Sequence, residues 1–141
     1  IQSDFESPEA AWQAIPPRFQ QIIIDNDIRV FYLDAFKIAR EALVLGDALA
    51  RALPRGNATL VDQLRRALLS AYLGIAEAAS RSGADRAARF RCARGEASEA
   101  AAAAEAVALL GLAPRDQTER LIALLSRVCA MLTRLAGYRR A

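Results

Sequence analysis

Residues 57–94 read NATLVDQLRRALLSAYLGIAEAASRSGADRAARFRCAR. This stretch decides the fold. It is a long apolar helix, a Ser-Gly break, and a second helix that opens on arginines. In the first half Gln63, Arg66, Ser70 and Glu77 recur at helical spacing along one side. Leu60, Leu64, Leu68, Ala71 and Ile75 make an apolar stripe, flanked by Val61, Leu69 and Leu73. A helix apolar around most of its girth has to be covered on several sides. Ser82-Gly83-Ala84-Asp85 reads as a capping box, with Ser82 holding the Asp85 N–H and the Asp85 carboxylate reaching back.

Working outward, Pro54-Arg55-Gly56 ends a preceding helix and Asn57 caps the next. That first long helix runs over about 28–53. One stripe is Phe36, Ala39, Leu43, Gly46, Ala50 and Leu53, and a second is Ala35, Ile38, Ala42, Leu45 and Leu49. The second helix covers about 58–81. The third continues to Leu110 and stops at Gly111, a natural left-handed cap. Its middle, Ala100 to Ala104, has no bulk, which predicts a close helix–helix contact. Pro114 opens the fourth helix, whose stripe is Leu121, Leu124, Leu125, Val128, Leu132 and Leu135, and Gly137 ends it. Four helices of about 24 residues, each about 36 Å long at 1.5 Å per residue, joined by short loops, predict an all-α fold. The expected architecture is an antiparallel up-down-up-down four-helix bundle over 28–141.

Residues 1–27 differ in character and form an N-terminal extension. They hold five carboxylates (Asp4, Glu6, Glu9, Asp25, Asp27) against one arginine, Arg18, so the positive balance of the chain lies in the remainder. Ser7-Pro8-Glu9 signals a short helix that ends before Pro16-Pro17. Trp12, Phe19, Ile22, Ile23 and Ile24 are too apolar to stay in water, so this segment is expected to dock on the bundle or, as an arm, on a neighbouring subunit.

The composition bounds the chemistry. With 141 residues the chain makes one domain with its own core. Cys92 and Cys129 read as buried free thiols, with no second Cys and no His at ligand spacing, so neither metal nor cofactor is expected. No apolar run approaches the ~20 residues that cross a bilayer, and the acidic start lacks a signal pattern, which predicts a cytoplasmic protein with no membrane contact.

The order of residues within the second and third helices goes beyond periodicity. Gln63-Leu64-Arg65-Arg66-Ala67, Ser70 and Ile75-Ala76-Glu77, then Phe90, Ala93-Arg94-Gly95 and Glu99, resemble the four helix bundle family first noticed as reading frames inside intervening sequences of bacterial 23S ribosomal RNA genes. That family's pattern starts Q-I/L-R-R-A, continues with a Ser and an N-I-A-E-G core, and later has A-R-G-S-x-x-E. The likeness spans about residues 31–137. Tyr72, Gly74 and Ala78 stand where the family has Pro, Asn and Gly, and Glu96 stands where it has Ser. The resemblance implies a ring-shaped homo-oligomer, often a pentamer, without enzymatic activity. It also implies kinship with the accessory proteins of diversity-generating retroelements, which bind a reverse transcriptase and nucleic acid.

Two constellations carry candidate chemistry. Arg66, Ser70, Glu77, Arg94 and Glu99 are expected to form a buried polar network that fixes helix register. Read as chemistry, Glu77 and Glu99 would be paired carboxylates, but dimetal bundles need Glu-x-x-His pairs and the chain has no His. No residue is assigned a catalytic role. Arg81, Arg86, Arg89, Arg91 and Arg94 fall within 14 residues opposed only by Asp85. Guanidinium forks match phosphate oxygens, so Arg81, Arg86, Arg89 and Arg91 are the candidate RNA or DNA contacts. No aromatics interleave them, which argues against sequence-specific reading of single strands. Nucleic-acid binding and scaffolding of a protein partner remain open together.

Overall fold

The computed structural model describes residues 26–137, with side chains from residue 32. Four helices follow one another: α1 (Asn26–Arg51), α2 (Ala58–Ala78), α3 (Gly83–Leu109) and α4 (Arg115–Gly137), with no strand among the described residues. Each helix packs on its neighbour in the chain, and α1 closes the ring against α4. The result is the up-down-up-down bundle that the loop lengths require. The expected helix in 7–15, the arm and the basic tail 138–140 lie outside the described residues.

The core forms where the stripes converge. Leu64, Leu68, Ala71 and Ile75 of α2 are buried against Leu121, Leu125, Val128 and Leu132 of α4 and the two stripes of α1. Ala97, Ala100, Ala103 and Ala104 of α3 are buried as well, their small side chains letting α2 and α4 approach. An aromatic cluster tightens the α1 N-terminal half: Tyr32 stacks on Phe36 at 6.2 Å and meets Phe90 of α3 at 6.5 Å. Tyr72 tilts on Phe36 at 5.3 Å, so it joins α2 to α1. Gly46 is required by the packing, because a Cβ there would run into the Leu68 methyl and touch Leu121.

The helix ends differ from expectation in detail. Gly111 takes φ +64°, and the N–H groups of Gly111 and Leu112 donate to Ala108 and Val107, as a left-handed cap should. Ser82 occupies the cap position of α3 in extended backbone, but its side chain makes no capping bond. Asp85 turns to Arg81 instead, a charged partner in place of a backbone N–H. Asn57 likewise stands before α2 while its amide donates to the Pro54 carbonyl. Cys92 is exposed and Cys129 half-buried, so neither is the fully buried thiol expected: Cys92 falls on the outward side of α3. The wide cover expected for α2 is also incomplete. Leu69 and Leu73 remain 49% and 52% exposed.

Candidate functional site: the charged seam between α2 and α3

The polar side of α2 and the arginine-rich start of α3 meet along one seam. At its centre is Arg89. Its Nε donates to Glu77 Oε2 at 3.1 Å across the helix pair, and its Nη1 donates to Glu96 Oε1 at 3.1 Å along α3. Its guanidinium covers Gly74, where a Cβ would stand 2.5 Å from Nη2 and 2.7 Å from Cζ. The side chain is only 15% exposed. Burial alone would lower its pKa, but the Glu77 and Glu96 carboxylates more than reverse that, so it is raised. Glu77 also accepts from Arg81 Nη2, and the hydrogen bonds from Arg89 and then Arg81 hold its carboxyl below the usual range. Arg81 reaches Asp85 at 3.2 Å as well.

Arg86 acts on the backbone. Its Nε and Nη2 approach the carbonyls of Ala78 and Ala79 at 3.3 and 3.4 Å, at the C-terminal end of α2 with its partial negative charge. Arg91 is the exception: it is exposed, and among the described residues it makes no ion pair. Of the four arginines expected on phosphate, three therefore hold α2 to α3, and one faces outward.

The expected five-residue network divides. Arg66, Ser70 and Glu99 come together with Gln63 and Glu96 around an open groove of about 200 Å³. Arg66 donates to Gln63 at 3.2 Å there. Glu77 belongs to the Arg89 cluster farther along the seam. Arg94 points the other way, donating to Thr133 Oγ1 of α4 at 3.2 Å, while its carbonyl lies 3.8 Å from Cys129 Sγ. Neither half is a buried network, since Arg66, Glu77 and Glu99 are exposed. The reason is geometric: in this bundle the stripe opposite Leu64–Ile75 faces solvent, where long side chains keep their charges hydrated. Among the described residues no group of three or more metal-type ligands converges.

Two members of the seam escaped the sequence reading. Glu96 and Gly74 stood out only as departures from the family pattern. A glycine inside a strong helix pattern was the available signal, since it usually marks a close approach.

A family model described as 23S rRNA-intervening sequence protein matches residues 32–134. The chain belongs to that family. The matched span takes in most of α1, all of α2 and α3, and α4 as far as Arg134, so the Arg89 seam lies wholly inside the 23S rRNA-intervening sequence protein fold. Residues 1–31 fall outside it. A comparison with curated proteins finds none that matches. No described helix is long and apolar enough to cross a membrane.

Proposed function

We propose that this protein is a non-enzymatic, homo-oligomeric scaffold, a pentamer on the family resemblance, that contacts RNA or DNA through arginines repeated in each copy. The observation that carries the assembly reading is the outward side of α3. Gly95, Ala102 and Leu109 recur there every seventh residue and are exposed, Leu109 to 86%. A Cβ added at Gly95 would meet nothing within 4 Å. Such a face admits a second helix closely and removes leucine from water on contact. Catalysis has less support, because the seam carboxylates Glu77 and Glu96 already bind Arg89 and the grooves are open to solvent.

The expected solution mass is about five times 15.3 kDa. Gly95→Arg should lower it while helicity holds. A wild-type chain that stays monomeric at micromolar concentration overturns the reading.

The nucleic-acid part rests on Arg91, one turn before Gly95 and brought round the assembly once per copy. Affinity for duplex should fall with salt by a logarithmic slope of about 0.9 per phosphate neutralised. Arg91→Ala should reduce that slope, whereas Arg89→Ala should act on stability. A second reading, a protein-partner adaptor without nucleic-acid contact such as a reverse-transcriptase accessory subunit, is favoured by the internal engagement of Arg81, Arg86 and Arg89. Purified protein free of nucleic acid, with no salt-sensitive binding, would select it.

A further inference from the structure

The exposed large apolar side chains of the described residues fall in two patches. Val44, Leu69 and Leu73 make one, on the α1–α2 side, where Leu69 and Leu73 line an open groove of about 630 Å³ with Leu43. Leu109 and Leu110 make the other, at the end of α3, in line with the exposed small residues Cys92, Gly95 and Ala102.

Heights along the bundle relate the two. α2 and α3 run antiparallel, and three contacts fix their levels. Arg89 meets Glu77 near one end, Arg66 and Ser70 share a groove with Glu96 and Glu99, and Leu60 and Gln63 share another with Ala106 and Leu110. Leu69 and Leu73 therefore stand level with residues 92–98 of α3, whose outward side shows Cys92, Gly95 and Ser98. Arg65 and Arg66 stand level with residues 99–105, where the exposed charges are Glu99 and Glu105 and no cation occurs. Asp62 shares that level, so two cations and one anion of α2 stand at the height of two anions of α3. Asp47, across the groove, is already held by Arg51 at 2.7 Å as well as by Arg65 at 2.8 Å.

We propose that the outward side of α3, from Cys92 to Leu109, packs into the Leu43–Leu69–Leu73 groove of the next copy, head to tail around a ring. This rests on the assembly reading and names the surface that the α3 side meets. Rotation about an axis parallel to the helices leaves heights unchanged, so bulk on α2 faces small residues on the next α3, and arginine faces glutamate. A two-fold dimer uses one patch twice and leaves the other in water, whereas the head-to-tail contact covers both. Direction agrees. At about 100° per residue, Leu73 projects directly away from the α2 core stripe and Leu69 about 40° towards α1. Gly95 and Ala102 project directly away from the buried alanines of α3. With α2 and α3 at neighbouring corners of the bundle, the two contacts leave each copy about 110° apart, near the interior angle of a pentagon, which closes a ring of about five.

A Leu73→Cys, Gly95→Cys chain with Cys92 and Cys129 replaced by Ala reads the pairing. The two positions project from different corners of their own chain, and a disulfide needs Cα atoms within about 7 Å, so the bridge forms between copies. Mild oxidation should give a ladder from dimer up to the full ring on a denaturing gel without reductant, while each single-cysteine chain stays monomeric. Leu69→Asp with Leu73→Asp, at two exposed positions, should reduce the solution mass to that of one chain and leave far-ultraviolet circular dichroism unchanged. A mass unmoved by that double variant overturns the proposal. A dimer band from Gly95→Cys alone also overturns it, since the α3 sides would then pair with each other. An assembled wild type whose double-cysteine chain gives no ladder overturns the head-to-tail contact and leaves the assembly reading standing. A monomeric wild type overturns both.

Discussion

Arg89 lies flat across α2 because residue 74 has no side chain: a Cβ on Gly74 would stand 2.5, 2.7 and 2.8 Å from Nη2, Cζ and Nη1 of its guanidinium. That absence lets one cation bridge Glu77 and Glu96. Gly74→Ala gains helix propensity of about 1 kcal/mol and displaces the end of a long side chain, whose partly exposed ion pairs contribute on the order of 1 kcal/mol each or less. The net change in stability should stay within about 1 kcal/mol of zero. The effect belongs in the coupling. In urea unfolding, Arg89→Ala should cost less in the Gly74→Ala background than in the wild type. Equal costs in the two backgrounds would show that the contact carries no energy.

Glu77 and Asp47 both have carboxyls held below their ordinary range. Arg89 and then Arg81 act on Glu77; the Arg51 hydrogen bond acts first on Asp47 and, joined by the one from Arg65, outweighs the opposing desolvation. A depressed folded pKa stabilises the native state above the unfolded pKa of about 4, and the contribution fades as pH falls through the lower folded value. Both groups are largely solvated, so the gain is small and salt-sensitive. The urea midpoint of Glu77→Gln should lie below wild type at pH 7 and converge with it as pH falls through the depressed folded value. A gap that persists at acid pH would point to packing rather than charge.

Tyr32 is 2% exposed, and among the described residues its hydroxyl has no hydrogen-bond partner. Burial pushes the phenol pKa far above its ordinary value. An unpaired buried polar group costs about 1–3 kcal/mol, so Tyr32→Phe should be neutral or stabilising by roughly that amount while keeping the stack on Phe36 and the tilted contact with Phe90. Thermal unfolding decides it, since a drop in Tm would reveal a partner for the hydroxyl.

Cys92 is exposed, whereas Cys129 is half-buried beside Ser98 Oγ at 3.5 Å. Titration of the native protein with an aromatic disulfide should show one fast thiol and one slow thiol, becoming two fast thiols in denaturant. Cys92→Ala should remove the fast phase alone.

The bundle was legible from the chain because its signal is repeated. The stripe from Leu121 to Leu135 and the paired stripes of α1 each say the same thing many times, and Gly111 and Pro114 mark the turn between the last two helices. Periodicity also placed Gln63, Arg66, Ser70 and Glu77 on one side of α2. It was silent on which helix an arginine would choose. Arg86, Arg89 and Arg94 are near neighbours in sequence, yet one reaches the terminal carbonyls of α2, one lies across Gly74 to Glu77 and one turns to α4. A rotation of about 100° per residue sends adjacent side chains to different neighbours, and flexible side chains take whatever acceptor is in range there.

The sequence by itself therefore determined the four helices of the described residues, about where they stop and which sides turn inward, because hydrophobic stabilisation is roughly proportional to the apolar area removed from water and needs no particular partner. Only the tertiary structure decided the fate of the charges. It tied Arg81, Arg86 and Arg89 to their own chain, left Arg91 outward, and kept Leu69 and Leu73 uncovered by the bundle. Ion pairs and hydrogen bonds are directional and fall off within a few ångströms, so they depend on the relative placement of two helices. No single helix encodes that placement.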